Sequence, residues 1–517
     1  MSPSSEKLRG LDRTGLLPRV VFLGCFAYFL WAAGVGWNNT LLDDHGFRQT
    51  QTAISTYYMI GRPPTLAYET PVLGPPWSIP FEFPLYQWTV AALVGLWHTP
   101  LEQTGRLVSV AFFLLGLIPA YRILAELNLA KENRLIVLSL LLISPFYIFW
   151  SRTFMIESTA FFFSLCFLAC AMRLRHSGSY WIAMAAAVTG TLAALVKITT
   201  WAPFLLAALV AWCDVLVRAR TARRALRVRS ALLYAAVTAV PIGLATIWTS
   251  CAEEARNLNQ FGRFTSSTAL KDWIYGTWEQ RLAVETWSAI GSRFGLLIGH
   301  AALGLVCLVG LWLSGRRWLS AAICFALGLS APAIFTNLHF VHEYYAYANG
   351  VFLIAGFGLS LTAMIERGGG LRRGGLYILA TLIAANLFRY QQDYYPKQSA
   401  NHLETVRIAD AVQRVTHRDD VLVILGCDWS PEIPYYSGRR ALMIPAWKTI
   451  SMQSLAEYME PLKGYSAGAL IVRSSPEAAI VDPSLLRQIL AELGLDAHWV
   501  SLGDGYRLYP RKESVET

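Results

Sequence analysis

The sequence predicts a polytopic α-helical membrane protein of about eleven transmembrane helices, followed by a small C-terminal α/β domain. Three observations lead to this fold class. Of 517 residues, 55% are hydrophobic and only 15% are charged, which is unusual for a soluble globular chain. The mean hydropathy is +0.40. Apolar stretches of spanning length recur up to residue 390, and the sequence after residue 396 changes to the mixed periodicity of a soluble domain.

Short basic or glycine-rich breaks separate the apolar stretches, and we interpret each long stretch as a membrane span. The stretches lie at 20–36, 104–124, 135–150, 155–172, 180–196, 201–217, 231–249, 291–313, 318–336, 345–364 and 375–390. The first stretch has no small-residue cleavage site after it, so we interpret it as a retained span and not as a signal peptide. Residues 86–97 form a shorter apolar stretch, which we interpret as an interfacial or re-entrant helix.

The distribution of lysine and arginine over the loops predicts the orientation of the chain across the membrane. Basic breaks alternate with basic-poor ones, and the most basic break lies at 218–229. The positive-inside rule then places the N-terminus in the cytoplasm and the tail outside. The net charge of +10 is explained by loops facing anionic lipid, so no nucleic-acid partner is expected. Most cysteines fall within apolar spans, which indicates no disulfide framework.

The chain is predicted to have two domains, a membrane domain at 1–395 and a soluble α/β domain at 396–517. Three elaborated regions, at 37–103, 251–290 and 396–517, all fall on the outer side. Elaborated loops commonly carry function, so the outer face is the expected place of action.

Local patterns predict the elements of the outer regions. In the first outer loop, at 37–103, Asp43 or Asp44 can cap a helix at 47–60, a proline-rich irregular stretch follows at 71–84, and a helix covers 85–97. In the tail, the patterns predict helices and strands. The helices are at 403–415 and 484–493, and the strands are at 421–425, 468–472 and 506–509.

An acidic pair, Asp43 and Asp44, follows the first span directly. Carboxylates beside a bilayer are costly, which makes them candidates for function, and an ionised one can act as a general base. The alternative is a helix cap with a solvated neighbour. On this segment alone the two interpretations are equally supported.

Other polar residues fall at the same predicted membrane face. Acids that deprotonate and cations that bind phosphate suit transfer from a lipid-linked phosphosugar when they meet at an apolar boundary. The further candidates are Arg48, Glu82, Arg152, Glu157, Lys197, His339, His342, Glu343, Tyr344 and Tyr345.

Each candidate also has a structural interpretation. Arg152 and Lys197 could only extend to lipid headgroups, and Glu157 could be an ordinary acid at a helix N-terminus. His339 and His342 could be interfacial histidines, and a divalent metal ion held by them with Glu82 is the minority interpretation. The segment 426–431 in the tail is interpreted as a turn.

With these residues in view, the chain resembles the GT-C membrane glycosyltransferases, in the branch that contains protein O-mannosyltransferases and lipid A aminoarabinose transferases. The resemblance covers most of 20–390. It rests on Asp43-Asp44 opening the first outer loop, on Glu82-Phe83-Pro84-Leu85-Tyr86-Gln87-Trp88, which looks like the family's Glu-x-Pro-Pro-Leu-Tyr-Tyr-Trp, and on Glu157. One proline of the family pattern is missing, and Phe47 stands where tyrosine is common.

The resemblance implies an inverting transfer from a polyprenyl-phosphate-sugar donor, with basic side chains on the donor phosphate. Asp43 aligns with the family's first acid and is the first choice for the base, with Asp44 second. Glu157 stands where a second-loop acid is expected, Lys197 matches a basic residue after the fifth span, and 342–345 resembles a His-x-Tyr-Tyr segment.

The residues and the resemblance together predict an integral membrane glycosyltransferase that acts at the outer face, and the expected membrane is the cytoplasmic (inner) membrane of a bacterium. The expected acceptor is an envelope glycolipid such as lipid A or lipopolysaccharide, another glycan or a protein, and the sugar stays open. The alternative is a lipid-linked sugar transporter or flippase, which would need ionisable groups near the midplane and half-repeats. A membrane anchor for the tail is a third interpretation, but it needs only one or two spans.

Overall fold

The computed structural model describes residues 15–218, 224–298, 301–315, 317–445, 448–473 and 482–512. They divide into two compact units that do not follow chain order. The described residues within 1–37, 106–247 and 271–399 form the first unit, and those within 38–105, 248–270 and 400–517 form the second. The first outer loop therefore groups with the tail, although the sequence-based domain boundary assigns it to the membrane domain.

The first unit is helical and has its own apolar core. Its helices, two of which extend into the second unit, are Leu16–Gly34, Leu101–Glu126, Lys131–Ile143, Pro145–Trp150, Glu157–Ser177, Tyr180–Arg218, Arg224–Asn257, Lys271–Tyr275, Trp278–Leu282, Val284–Ile298, Ala301–Ser314, Trp318–Ile334, Thr336–Val341, Gly350–Arg367, Gly369–Arg389 and Tyr395–Ser399. A short 3₁₀ helix, Glu343–Tyr347, and a π-helical turn, Tyr390–Tyr394, complete it.

Among the described residues, six helices are long and apolar enough to cross a membrane. They are Leu16–Gly34, Leu101–Glu126, Glu157–Ser177, Tyr180–Cys213, Val228–Asn257 and Gly350–Arg367. The chain is thus mainly helical with membrane-spanning helices, as predicted, but the expected count of about eleven is not confirmed. One reason is length, since Lys131–Ile143 has 13 residues and Trp318–Ile334 has 17.

Glycines allow close approach of helices in the first unit. A Cβ atom on Gly358 would lie 2.7 Å from Val137 Cγ2, and one on Gly328 would lie 2.3 Å from Leu353 Cδ2. Helices in lipid gain stability from van der Waals contact, which small residues improve. These glycines therefore explain how Gly350–Arg367 packs against Lys131–Ile143 and Trp318–Ile334.

The second unit contains a five-stranded mixed sheet. Its strands are β1 (Val421–Leu425), β2 (Arg440–Met443), β3 (Ala467–Arg473), β4 (Val500–Gly503) and β5 (Tyr506–Pro510), in the order β2-β1-β3-β5-β4. Strand β1 is parallel to β2 and β3, whereas β5 is antiparallel to β3 and β4. All five residues of β1 are buried, as its continuous apolar run predicts.

The other elements of this unit are short. Its helices are Gly46–Met59, Leu85–Trp97, Glu404–Val415, Glu432–Ser437, Met452–Met459 and Pro483–Leu493, with 3₁₀ turns Gly262–Thr265 and Glu460–Leu462. The predicted helices at 47–60, 85–97, 403–415 and 484–493 are confirmed to within a residue, and so are the three predicted strands. Strands β2 and β4 and the helices Glu432–Ser437 and Met452–Met459 were not predicted.

The first outer loop completes the sheet of the tail. Leu73 forms an antiparallel bridge with Leu442 of β2, and the backbone of Met443 donates a hydrogen bond of 3.0 Å to the carbonyl of Val72. Ile54, Val72 and Ile79 also share one apolar core with the strands. An edge strand that gains a partner no longer exposes unpaired backbone groups, which explains why the two chain segments form one unit.

Candidate functional site

The acidic pair of the first outer loop is held by its own backbone and by one glutamine. Asp43 is buried, and its Oδ1 accepts hydrogen bonds from Gln49 Nε2 at 2.7 Å and from the Asp44 backbone N–H at 3.1 Å. Asp44 is half-buried and accepts from the His45 backbone at 2.9 Å. The carboxylate of Asp43 is thus fixed in orientation, as a general base requires.

The predicted helix cap is wrong. The helix begins at Gly46, its N-cap residue is His45 with φ 45°, and no side chain caps it. The left-handed backbone at His45 turns the chain before the helix, so the N-cap position belongs to His45 and not to Asp43 or Asp44.

Arg48 and Glu82, two predicted site residues, form an ion pair. Arg48 Nη1 also donates to Gln51 Oε1 at 2.7 Å. Tyr68 supports the acid, because its hydroxyl donates to the Glu82 carbonyl at 2.9 Å and accepts from the Glu82 backbone at 3.0 Å. Burial raises the pKa of Tyr68 well above its ordinary value, so the phenol stays neutral and keeps its proton for this contact.

Trp429 of the tail contacts the residue that precedes each member of this ion pair. Its ring lies edge-on to Phe47, at 4.7 Å between centroids, and is stacked on Phe81 at 5.3 Å. Phe47 precedes Arg48 and Phe81 precedes Glu82 in the chain. The segment 426–431 is a turn, as predicted, and Trp429 lies within it. The turn therefore contributes an aromatic clamp to the first outer loop.

Glu157 and Lys197 form a second ion pair, within the first unit. Their side chains are only 2% and 10% exposed. Lys197 breaks the helix Tyr180–Arg218, because its φ of −161° and ψ of 96° are extended and not helical. The ammonium also lies over the rings of Tyr345, at 4.3 Å, and Tyr344, at 5.1 Å. A buried cation with aromatic faces on one side and a carboxylate on the other is strongly localised.

The predicted turn at 342–345 is a short 3₁₀ helix that begins at Glu343. Glu343 Oε1 accepts hydrogen bonds from Trp150 Nε1 and from the Tyr394 hydroxyl, both at 3.2 Å. His342 is stacked on Tyr344 at 5.3 Å. The structure thus brings Glu157, Lys197, His342, Glu343, Tyr344 and Tyr345 into one cluster of the first unit, which we call the lysine cluster.

His339 lies beside this cluster, 6.1 Å from Tyr345 between ring centroids. Burial, and then the nearby charges of Lys197 and Arg293, lower the pKa of His339 to about 3, so the imidazole is neutral. Within the described ranges, no group of three or more His, Cys, Asp or Glu side chains could hold a metal ion. The interpretation of Glu82, His339 and His342 as metal ligands therefore stays a prediction.

Arg152 is fully buried, and its Nη2 donates to the Gly36 carbonyl at 3.1 Å. Arg106, also fully buried, donates to the Trp37 carbonyl at 2.7 Å. Both guanidinium groups thus bind backbone just after the first helix. The role of Arg152 on a donor phosphate stays a prediction, and Arg106 was overlooked because it lies in an apolar helix that was interpreted only as a span.

Gln49, Tyr68, Trp150, Tyr394 and Trp429 were also missed. They are neither charged nor part of a spacing pattern, so no signal in the sequence separates them from ordinary core residues. Only their hydrogen bonds and ring contacts connect them to the predicted site residues.

Helices of spanning length and buried ion pairs define the chain as an integral membrane protein. Its fold is that of solved membrane glycosyltransferases. ArnT from Cupriavidus metallidurans bound to undecaprenyl phosphate is 15% identical, with a TM-score of 0.59 over 94% of this chain and 98% of that one. ArnT in the apo state gives 13% identity and a TM-score of 0.52 over 89% and 93%.

The arabinofuranosyltransferase AftD from Mycobacteria is 13% identical, with a TM-score of 0.50, and the match covers 94% of this chain and 40% of that one. No known family profile matches the sequence, and no curated protein matches it. The resemblance to GT-C membrane glycosyltransferases is therefore confirmed at the level of the fold.

Proposed function

We propose that this protein is a membrane glycosyltransferase that moves a sugar from a polyprenyl-phosphate donor to a hydroxyl group of an envelope glycolipid, glycan or protein. The lysine cluster is the observation that carries the proposal, because it combines a buried ammonium with aromatic faces. The ArnT structure that shares the fold has undecaprenyl phosphate bound, which supports a donor of this chemical class.

Lys197 is assigned to the donor phosphate. A lysine ammonium has three N–H donors and no acceptor, so the bond to Glu157 leaves further donors for phosphate oxygens. Glu157 fixes the position of the ammonium, and the stacked rings of Tyr344 and Tyr345 cover it. Such a fixed cation stabilises the negative charge that develops on the departing lipid phosphate.

Asp43 is assigned as the general base, with Asp44 as the second candidate. In the proposed step, the acceptor oxygen attacks the anomeric carbon and its proton passes to the carboxylate. The bond from that carbon to the phosphate oxygen breaks, and its electron pair leaves with the polyprenyl phosphate. Attack opposite the leaving group inverts the anomeric configuration. Arg48 and Glu82 are assigned to binding of the substrates.

The experiment that tests the proposal is transfer of a radiolabelled sugar from a polyprenyl-phosphate donor by the full-length protein in membranes. Lys197→Met is expected to abolish transfer and Lys197→Arg to keep part of it, because arginine keeps the charge but not the geometry. Asp43→Asn is expected to lower kcat by at least about 100-fold, the scale of general-base catalysis. Full activity in both Lys197→Met and Asp43→Asn would refute the assignments.

The acceptor and the sugar are to be identified in the native envelope. Mass spectrometry of glycolipids and glycoproteins from a strain that lacks this chain is expected to show one class that has lost a sugar. The same class must regain the sugar when the wild-type chain is restored but not when Lys197→Met is supplied. Loss of lipid-linked sugar export with transfer intact would instead favour a transporter.

A further inference from the structure

A second feature of the first unit lies away from the lysine cluster. An apolar cavity of about 360 Å³ lies between six helices of this unit. Its lining is mostly aliphatic and aromatic, as in Leu124, Leu168, Phe204 and Leu327. Arg175 is the charged residue among those that line it. Arg175 lies in the last turn of Glu157–Ser177, whereas Glu157 begins that helix. At a rise of 1.5 Å per residue the two are about 27 Å apart along the helix.

The cavity is elongated along the helices. Leu165 and Arg175 both line it, and ten residues of helix separate them by about 15 Å. Such a slot suits one flexible hydrocarbon chain. A free phosphate or another small anion would gain nothing from the apolar lining, because only the end with Arg175 offers polar groups.

Two further polar features lie beside Arg175 at this end. Ser320 also lines the cavity and lies in the first turn of the helix Trp318–Ile334. The N-cap residue of that helix, Arg317, makes no side-chain capping hydrogen bond, and the positive end of the helix dipole favours an anion there. A guanidinium, a hydroxyl and a helix N-terminus together form a site for a phosphate group.

Neighbouring basic residues at this end of the unit have partners of their own. Arg173 and His176 lie 3.6 and 3.5 Å from the carboxylate of Glu126, and Arg229 donates to the Gly178 carbonyl at 2.9 Å. Arg175 makes one hydrogen bond to described residues, from Nε to the Met172 carbonyl of its own helix at 3.1 Å. Its terminal nitrogens are therefore the donors that a headgroup would meet.

We propose that this cavity binds an anionic phospholipid, with one acyl chain among the apolar side chains and the phosphate at Arg175 and Ser320. The site goes beyond the proposed transfer reaction, because it lies at the opposite end of the helix from Glu157. Arg175 lies on the side that the distribution of lysine and arginine predicts to be cytoplasmic. Basic pockets between helices on that side of a membrane commonly bind anionic headgroups.

The test is native mass spectrometry of the full-length protein, purified in detergent and titrated with dioleoyl phosphatidylglycerol or dioleoyl phosphatidylcholine. The wild type is expected to bind one phosphatidylglycerol at least about fivefold more tightly than phosphatidylcholine, the effect of one basic residue on an anionic lipid. Arg175→Gln is expected to remove this preference and Arg175→Lys to keep most of it. The matched control, Arg173→Gln, changes the same charge on the same helix and is expected to keep the preference.

A second variant tests the acyl chain independently of charge. Ala211 lines the cavity, and Ala211→Phe is expected to weaken both lipids by at least about tenfold, because the ring fills space that the chain needs. Equal binding of both lipids by the wild type, or equal effects of Arg175→Gln and Arg173→Gln, would overturn the proposal. Displacement of phosphatidylglycerol by undecaprenyl phosphate at equal concentration would also overturn it, since the site would then belong to a prenyl lipid. Sugar transfer is measured separately with Lys197→Met, so failure of either proposal is recognisable.

Discussion

Lys197 and Glu157 form a buried ion pair at the point where the helix Tyr180–Arg218 is broken. The pair joins this break to the first residue of Glu157–Ser177, and the rings of Tyr344 and Tyr345 cover the ammonium. Both charges are thus removed from water and depend on each other. Loss of one partner leaves the other as an uncompensated buried charge.

This dependence predicts the stability of variants. Lys197→Met is expected to lower the free energy of unfolding by about 3–5 kcal/mol, because Glu157 is left buried without its cation. The double variant Lys197→Met with Glu157→Gln is expected to recover much of this loss. The measurement is the Tm of the full-length protein in detergent, followed by intrinsic fluorescence.

The control for this pair is Lys463→Met, which removes the exposed ion pair of Lys463 with Glu460. Exposed pairs contribute little, so its Tm is expected to stay at the wild-type value. A double variant that is less stable than both single variants would contradict the dependence of the two charges on each other.

Gln49 is predicted to position the proposed base. Gln49→Leu removes the hydrogen bonds to Asp43 Oδ1 and to the Asp44 carbonyl while keeping the side-chain size similar. Because a small misplacement of a catalytic group is costly, kcat is expected to fall about 10- to 100-fold. KM is expected to stay within about twofold, since Gln49 acts through Asp43 and is not assigned to substrate.

Steady-state kinetics of sugar transfer give this measurement. Gln103→Leu is the matched control, because it removes an amide that makes only a 3.5 Å contact with Asn38. Wild-type kcat in a folded Gln49→Leu protein would show that the orientation of Asp43 does not matter to the reaction.

Trp429 is predicted to stabilise the ion pair of Arg48 and Glu82. Trp429→Ala removes both ring contacts, which together contribute about 1–3 kcal/mol beyond the buried area. Transfer activity is expected to fall with stability, whereas Trp429→Phe keeps an aromatic ring and should restore most of both.

Limited proteolysis of the first outer loop measures how the Trp429 variants change its structure. The loop is expected to be cut faster in Trp429→Ala, because its two phenylalanines lose their partner. Trp499→Ala, at an exposed tryptophan of the same unit, is expected to change neither the cleavage rate nor the activity. Equal cleavage of Trp429→Ala and Trp499→Ala would argue against the clamp.

The hydrogen bonds of Asp420 predict that its contribution to stability depends on pH. Burial alone would raise the pKa of this carboxyl, but the His417 backbone at 2.7 Å, Ser466 at 2.8 Å and Arg511 at 2.7 Å donate to it and hold its pKa below the ordinary value. A carboxyl whose pKa is lowered by folding stabilises the protein at pH values above its ordinary pKa of 3.8. This stabilisation is lost as the pH falls through the lowered pKa.

Asp420→Asn is therefore expected to cost about 1.5–3 kcal/mol at pH 7, the range for hydrogen bonds to charged groups. The difference in Tm from the wild type should narrow as the pH falls below 3.8. Asp419→Asn, at the exposed neighbouring acid, is the control and should match the wild type at every pH. A difference that does not change with pH would show that the charge of Asp420 is not responsible.

Individual elements follow closely from the sequence. The continuous apolar run of β1 and the apolar periodicity of Glu404–Val415 were sufficient to predict both elements. Lys197 marked a boundary because one charge interrupted a long apolar stretch, and the helix does break there. Strand β2 was missed, since Arg440–Met443 is short and pairs with a loop segment that is distant in sequence.

Which charged residues form ion pairs with each other could not be predicted in the same way. Glu157 and Lys197 are 40 residues apart on different helices, and Arg48 lies in a helix whereas Glu82 lies in a loop, so no helical or strand spacing connects either pair. The candidate residues were recognised as charges in unfavourable surroundings, which is a property of each position alone. Which charge meets which depends on how the elements pack.

The sequence by itself determined the class of protein, because hydropathy, the cost of charges in lipid and local periodicity act on short stretches of chain. It also selected all four residues that form the two ion pairs. Only the tertiary structure decided that the first outer loop joins the sheet of the tail and that Trp429 clamps Phe47 and Phe81. Those contacts join segments hundreds of residues apart, and they are specified by the packing of a shared core that no single stretch contains.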